Sequence, residues 1–271
     1  MQSLKQKSNF ESENKTKDIE TMSTTKPILP GGEIKKRELE FFLIVDRSYS
    51  MEGPRIGSLN AVATEIFETD LPDILEDYPH VQLNVTVISF SDDVKFEIGP
   101  DSVPLEKIIW KDIQVDGMTN TADAIKALSL RLDAQNMPSR GLPPVCILIS
   151  DGYCTQSPEE YQEAIDDLES KPWGKKAVRI SIGIGDDFNE DELRAFISRG
   201  LRKELPVLNA HTKKDLIKYI RWASTTAVKA SSSTKSKLGN NDGDGSEDES
   251  NVVLPPPPPL DLDDSDDDDV F

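Results

Sequence analysis

The sequence has little of several features that define well-known protein classes. Only two cysteines, Cys146 and Cys154, occur in 271 residues, which excludes the disulfide framework of small secreted domains. Cys146 lies on a predicted strand, and the extended chain after it leads away from Cys146. A disulfide with Cys154 would require the loop to fold straight back, so we predict that both are free thiols. Two histidines leave little room for a His-rich metal site. No apolar run approaches the roughly 18 residues of a membrane-spanning helix.

The start of the chain also lacks the apolar stretch of a secretory signal. We therefore expect a cytoplasmic protein, whose true start is either Met1 or Met22.

Basic residues are in the minority, with 31 Lys and Arg against 50 Asp and Glu and a net charge of −19. Binding to nucleic acid requires basic patches that neutralise phosphates, and docking on anionic lipid requires basic clusters as well. We therefore expect neither nucleic acid nor a membrane surface as a partner.

The charge is unevenly distributed, and this distribution indicates the domain boundaries. Residues 1–37 carry 8 basic and 5 acidic groups, whereas residues 231–271 carry 2 basic and 12 acidic groups. Both ends lack apolar periodicity and cannot bury enough apolar surface to offset the entropy of ordering. We predict a disordered N-terminal arm (1–37), one domain (38–230) and a disordered, acidic, Pro-rich tail (231–271).

Several segments of the central region have the pattern of β-strands. Glu40–Asp46 and Val145–Ile149 are short apolar runs rich in β-branched or aromatic residues, which favours strands buried on both faces. Val81–Val87 alternates apolar and polar residues and leads through a polar turn to Val94–Phe96, which predicts a hairpin. Val178–Ile184 alternates in the same way.

Helical patterns lie between these strands. Apolar stripes begin near Ile56 and Ile125, and capping sequences at Ser157, Asn189 and Thr212 predict three further helices. Alternating strands and helices predict an α/β fold: a doubly wound, mostly parallel sheet with one antiparallel edge strand and helices on both faces. Ligands of such sheets bind beyond the carboxyl ends of the strands.

Oxygen-bearing side chains follow the two buried strands. Asp46, Ser48 and Ser50 come after the first, Asp151 comes after the second, and Thr119 lies in a turn that opens a helix. Carboxylates and hydroxyls without thiolate or imidazole suit Mg²⁺ or Mn²⁺ better than zinc. These residues, with Thr121 of the same turn as an alternative to Thr119, are the candidate metal ligands, and we predict no catalytic residue.

Three motifs carry a resemblance to a known family. Asp-x-Ser-x-Ser at 46–50, Gly-x-Thr-Asn-Thr at 117–121 and Asp-Gly at 151–152 resemble the metal-ion-dependent adhesion site of von Willebrand factor A (VWA) domains. The motifs occur in the family's order on the predicted elements, and the resemblance covers about residues 38–228. It implies a VWA fold of the Rossmann-like type.

The resemblance also implies roles for the site residues. Ser48, Ser50 and Thr119 would coordinate the ion directly, while Asp46 and Asp151 would act through water or hydrogen bonds. Neutral hydroxyls leave most of the ion's charge uncompensated, so it can accept an Asp or Glu carboxylate from a protein partner. The implied function is a metal-dependent protein-interaction module.

Each motif also has a simpler interpretation. Asp46 could cap a helix start, Ser48 and Ser50 could be turn hydroxyls, and Asp92 and Asp93 are more typical of a turn than of a metal site. Motif alignment favours Thr119 as the ligand, with Thr121 as the alternative.

The segment from Asp215 to Ser224 is similar to the last helix of the cytoplasmic tellurium-resistance-type VWA proteins. That resemblance implies a cytoplasmic scaffold in a stress response, working beside a Ser/Thr kinase and a metal-dependent protein phosphatase.

Two alternatives belong to other classes. A metal-dependent phosphohydrolase of the haloacid-dehalogenase type would need a second carboxylate two residues after Asp46, where this chain has Ser48, so we expect no enzyme. An extracellular VWA adhesin is the other alternative. Finally, seven aspartates within 261–269 follow Pro255–Pro259, and we expect that this tail can reach the chain's own metal site.

Overall fold

The computed structural model describes residues 36–151, 153–186, 188–233, 253–259 and 271. Most of the predicted N-terminal arm, Gly152 and the aspartates at 261–269 lie outside the described residues.

A single six-stranded sheet organises the domain, in the order β3-β2-β1-β4-β5-β6. Neighbouring strands are parallel except for the antiparallel pair β2–β3, which places β3 at one edge. This topology confirms the predicted fold class. The strands are β1 (Arg37–Asp46), β2 (Val81–Phe90), β3 (Val94–Pro104), β4 (Val145–Ser150), β5 (Val178–Ile184) and β6 (Leu208–Ala210).

Helices cover both faces of the sheet. They are α1 (Pro54–Glu65), α2 (Leu71–Glu76), α3 (Thr121–Arg131), α4 (Pro158–Ser170), α5 (Pro172–Lys176), α6 (Glu190–Phe196) and α7 (Lys213–Ser233). A π-helical turn, Ile66–Asp70, joins α1 to α2. Helices α1, α2 and α7 pack together, and α4 contacts both α3 and α6. None of the described helices combines the length and apolar character needed to cross a membrane.

The predicted capping sequences begin three helices. Ser157 and Glu160 form a reciprocal capping box at α4, in which each side chain accepts a hydrogen bond from the other residue's backbone N–H. At α6 the Asn189 side-chain oxygen accepts hydrogen bonds from the backbone N–H groups of Asp191 and Glu192. Thr212 and Asp215 exchange bonds of 3.0 and 3.1 Å at the start of α7. These contacts satisfy backbone donors that a helix start leaves unpaired.

The central strands β1 and β4 lie within the hydrophobic core and align the residues that follow them. From Phe41 to Val45, β1 pairs in parallel register with Val145 to Ile149 of β4. All six residues of β4 are buried, as predicted for a strand covered on both faces. Because the two strands end at the same edge, their next residues lie side by side.

Both cysteines are free thiols, as predicted. Cys146 is buried in β4 and Cys154 is half-buried. Burial raises the pKa of the Cys146 thiol to about 12.

Candidate metal-binding site

Asp46 ends β1 and its carboxylate is fully buried. Its Oδ2 accepts a hydrogen bond of 2.6 Å from the Ser150 hydroxyl, and its Oδ1 accepts one of 2.8 Å from the Ser48 backbone N–H. Burial raises the pKa of Asp46 to about 6, although the hydrogen bonds from Ser150 and Ser48 lower it and the negative charge of Asp151 raises it further. No cationic side chain pairs with Asp46 in the described part of the chain.

A chain of hydrogen bonds joins the two serines of the first motif to Asp151. The hydroxyl oxygens of Ser48 and Ser50 are 2.9 Å apart, and the Ser50 hydroxyl donates to Asp151 Oδ1 at 2.7 Å. Ser48 and Asp151 are buried, whereas Ser50 is exposed. The site therefore opens to solvent at Ser50.

The loop that contains Thr119 lies between the loops that follow β1 and β4. The Tyr49 N–H donates to the Gly117 carbonyl at 3.1 Å, and the Thr155 N–H donates to the Thr119 carbonyl at 2.8 Å. Thr119 is buried. Thus the structure brings together the three loops that carry the five predicted residues.

The two candidate threonines lie on either side of Asn120, the residue that precedes α3. Thr121 is the first residue of α3 and is buried, as Thr119 is. Within the described ranges, neither side-chain hydroxyl makes a hydrogen bond.

Asp92 and Asp93 lie in the turn between β2 and β3, as predicted, and they also support the loops of the site. Asp92 Oδ1 accepts a hydrogen bond of 3.0 Å from the Met118 N–H. Asp93 forms an ion pair with Arg47, whose buried guanidinium also lies 3.5 Å from Asp116. These contacts fix the loop before Thr119 against the end of β1.

Arg55 is a residue of the site that was not predicted from the sequence. Its Nη1 forms an ion pair with Asp151 Oδ2 and donates to the Ser50 carbonyl at 3.2 Å. Gly185 has φ +78° and lies against this arginine: a Cβ at position 185 would be 3.0 Å from Arg55 Nη2. Arg55 and Asp151 are 96 positions apart, so no local sequence signal links them.

The donor set fits a hard divalent cation. It consists of carboxylates and hydroxyls only, which suits Mg²⁺ or Mn²⁺. A buried carboxylate without a counter-cation costs several kcal/mol (roughly, by the penalty for desolvating an ion), and a bound cation would remove that cost for Asp46. Among the described residues, no group of three or more His, Cys, Asp or Glu side chains could hold a metal ion, so a site here depends on the hydroxyls.

The topology and this oxygen-lined edge define a doubly wound α/β domain with a candidate cation site at the carboxyl ends of β1 and β4. The von Willebrand factor type A domain family matches residues 41–221. The chain therefore belongs to the VWA domain family. Among curated proteins none matches the chain.

Solved structures share the fold at low sequence identity. The ArnB paralog VWA2 from Sulfolobus acidocaldarius is 20% identical with a TM-score of 0.50, over 69% of this chain and 45% of that protein. A von Willebrand factor type A protein from Catenulispora acidiphila is 16% identical with a TM-score of 0.52, over 70% of this chain and 43% of that protein. The match therefore spans less than half the length of either protein. At this identity it shows the fold alone.

Proposed function

We propose that this protein binds a divalent cation, Mg²⁺ or Mn²⁺, and through it a carboxylate of a protein partner. The observation that carries the proposal is the buried Asp46, which has no cationic partner among the described residues and lies beside the hydrogen-bonded chain of Ser48, Ser50 and Asp151.

Ser48, Ser50 and Thr119 would hold the ion directly, and Asp46 and Asp151 would orient them or act through water. The bound ion would supply an exchangeable coordination position that a partner's Asp or Glu fills. In this function the protein is an interaction module and not an enzyme.

Large exposed side chains around the site support a protein partner. Tyr49, Met118 and Tyr153 come from the three converging loops and are 62%, 56% and 59% exposed, respectively. Aromatic residues and Met are enriched in protein interfaces, where they act as anchors. An apolar rim around a polar centre fits a protein surface better than a free carboxylate ion.

Direct metal titration tests the proposal. We expect Ser48→Ala and Thr119→Ala to weaken Mg²⁺ binding by about tenfold or more, because the loss of a residue that only orients a metal ligand already costs that much. The unfolding temperature should change little. Ser170→Ala removes an exposed hydroxyl at the end of α4 and serves as the matched control. Equal affinities in all four proteins, measured by isothermal titration calorimetry, would overturn the metal site.

Capture of partners from a lysate, with Mg²⁺ and with chelator, tests whether the protein binds a partner through the ion. A specific partner should bind the wild type only in Mg²⁺ and should not bind Asp46→Ala. Binding that is equally strong in chelator would contradict the carboxylate mechanism. Turnover of phosphoesters that Asp46→Ala abolishes would instead identify a metal-dependent phosphohydrolase.

We further propose a cytoplasmic scaffold role of the tellurium-resistance type, in which a Ser/Thr kinase and a metal-dependent protein phosphatase are the partners. The similarity of residues 215–224 to the last helix of that group supports it, and the two free thiols suit a reducing compartment. Fractionation of cells, with identification of the captured proteins, tests both points.

A further inference from the structure

The segment Val253–Pro259 packs against the domain, although it belongs to the predicted tail. Leu254 is half-buried and contacts the hydrophobic core. Leu254 and Pro255–Pro257 line a recess together with Leu201, Glu204 and Leu205, in the turn that precedes β6. The tail therefore begins its contact beside this turn.

The segment continues along α7. Pro258 lies over a groove whose other walls are Lys214, Ile217, Lys218, Arg221 and Trp222, one face of that helix. The Lys218 ammonium donates a hydrogen bond of 2.6 Å to the Pro259 carbonyl. At the end of the chain, the Phe271 N–H donates to the His211 carbonyl at 3.1 Å, just before α7 begins.

Burial along the segment has the period of a polyproline helix. Leu254, Pro257 and Pro258 are half-buried, whereas Val253, Pro255, Pro256 and Pro259 are exposed. A polyproline II helix has three residues per turn, so Leu254 and Pro257 lie on one face. One face of the proline run is thus turned to the domain.

The groove has the chemistry that recognises such a face. Proline-rich segments bind grooves lined by aromatic and apolar side chains, and their carbonyls accept hydrogen bonds because the helix makes none of its own. Trp222 and Ile217 supply the apolar walls, and Lys218 supplies the donor. Because prolines are already restricted, docking costs little conformational entropy.

We propose that the groove formed by Ile217, Lys218 and Trp222 is a binding site for proline-rich segments, and that the chain's own Val253–Pro259 is its resident ligand. The groove shares no residue with the candidate metal site. Acidic residues follow the prolines in the sequence and Lys214 and Lys218 line the groove, so the charges of ligand and site are complementary.

The test uses the full chain and a fluorescent peptide of residues 251–271. A variant carrying Leu254→Ser, Pro257→Ser and Pro258→Ser together should release the resident segment. A tethered segment competes at an effective concentration of about a millimolar, so we expect the peptide to bind this variant at least tenfold more tightly than the wild type. Equal affinity for both proteins, or no binding to either, would overturn the proposal.

Two peptides provide the matched control. A peptide with Val253→Ser and Pro259→Ser alters only exposed side chains that line neither the recess nor the groove. It keeps the Pro259 carbonyl that accepts from Lys218 and should keep most of its affinity, whereas Pro257→Ser with Pro258→Ser should lose it. Both peptides carry the same charge. If they bind equally, general attraction between the acidic tail and α7 explains the binding and the site does not exist.

A groove variant locates the site independently of the peptides. Ile217→Asp in the released background should abolish binding, and its circular dichroism and unfolding temperature establish whether it is folded. If that variant does not fold, Lys218→Glu replaces it and should weaken binding at least fivefold. Undiminished binding to a folded groove variant would place the ligand elsewhere and refute the assignment.

Discussion

Asp46 and Asp151 show two ways in which one domain holds a buried carboxylate. Asp46 depends on a hydroxyl and a backbone N–H, whereas Asp151 has the guanidinium of Arg55 as a partner in addition to the Ser50 hydroxyl. A divalent ion at this site would compete with that guanidinium for Asp151. Metal binding must therefore break the ion pair between Arg55 and Asp151, and the free energy of that pair lowers the metal affinity.

We predict that Arg55→Gln tightens Mg²⁺ binding by about fivefold, equivalent to about 1 kcal/mol, the upper value for a partly exposed ion pair. The substitution removes a positive charge that both repels the ion and occupies its carboxylate. Isothermal titration calorimetry at fixed ionic strength measures the change. Arg131→Gln is the control, because it removes an ion pair between Arg131 of α3 and Asp101 of β3, at 3.6 Å. It should leave the metal affinity unchanged. Weaker metal binding in Arg55→Gln would show that the arginine supports the site and does not compete with the ion.

Glu40 gives a second prediction at the same scale. It lies within β1, and burial raises its pKa, although a hydrogen bond of 2.9 Å from the Asn84 amide opposes that shift. A raised pKa means that the folded state holds this proton to higher pH than the unfolded state does. The contribution of Glu40 to stability is therefore lost as pH rises above the ordinary value of 4.5.

Glu40→Gln should consequently raise the thermal unfolding midpoint at pH 7, and this gain should shrink as pH falls towards 4. The amide oxygen of the new side chain can still accept from Asn84. Scanning calorimetry between pH 4 and pH 7 measures the effect, and Glu68→Gln, at an exposed position, is the control. A gain that is independent of pH would assign the effect to packing.

At the scale of elements, the loop from Asp116 to Asn120 is the part that must keep an uncommon backbone shape. Gly117 has φ +67°, and a Cβ there would lie 2.7 Å from the Asp92 carboxylate. That carboxylate accepts the Met118 N–H, so its displacement would release the loop that holds Thr119.

We predict that Gly117→Ala destabilises the fold by about 1–2 kcal/mol, the cost of a left-handed residue with a side chain, and weakens Mg²⁺ binding as well. Gly57→Ala is the matched control, because it lies within α1 with nothing within 4 Å of the added Cβ. It should stabilise the protein by about 0.5–1 kcal/mol through helix propensity. Urea unfolding and calorimetry distinguish the two. Normal metal affinity in Gly117→Ala would show that the conformation of this loop does not affect metal binding.

The elements that the sequence predicts well are those with a strong local signal. β1 and β4 have continuous apolar runs, and α4 has a complete capping box, so each was predicted close to its observed bounds. β6 was not predicted, because three residues, Leu208–Ala210, are too short to show a period. The five-residue α5 was missed for the same reason.

The candidate metal site likewise has a part that the sequence predicts and a part that it does not. Residues that directly follow a buried strand were predictable, because parallel strands end at one edge of a sheet. The pairing of Arg55 with Asp151 and of Arg47 with Asp93 depends on side chains that meet only after the sheet has formed. Such pairs have no fixed spacing along the chain, so sequence patterns do not reveal them.

At the scale of the whole molecule, the tail and the metal site approach the same edge of the sheet. The Phe271 N–H donates a hydrogen bond to the carbonyl of His211, the residue that directly follows β6. Because β6 is parallel to β5, His211 lies at the carboxyl ends of the parallel strands. In the strand order, β6 lies three places from β1, about 15 Å at the usual spacing of neighbouring strands. About five extended residues cover that distance. The aspartates at 261–269 lie outside the described residues, yet chain length alone allows them to reach the ion.

We predict that replacing the seven aspartates of 261–269 by asparagine tightens the binding of an acidic partner peptide in Mg²⁺. A carboxylate of the tail would otherwise occupy the position that the partner's carboxylate needs. This variant keeps Leu254 and the prolines, so the apolar contacts with the turn before β6 and with α7 remain, and only the charge attraction to Lys214 and Lys218 is lost. Fluorescence anisotropy with a labelled acidic peptide, in Mg²⁺ and in chelator, measures the competition, which should vanish in chelator.

General repulsion by the acidic tail would also weaken an acidic partner, and two conditions separate it from competition for the ion. Repulsion between exposed charges fades at high salt, because the screening length falls to roughly 3 Å at 1 M, and any residual repulsion should persist in Asp46→Ala. Competition for the ion should instead survive moderate salt and disappear in Asp46→Ala, since that variant holds the metal poorly. Identical affinities with either tail, at low salt and saturating Mg²⁺, would mean that the aspartates do not enter the metal site.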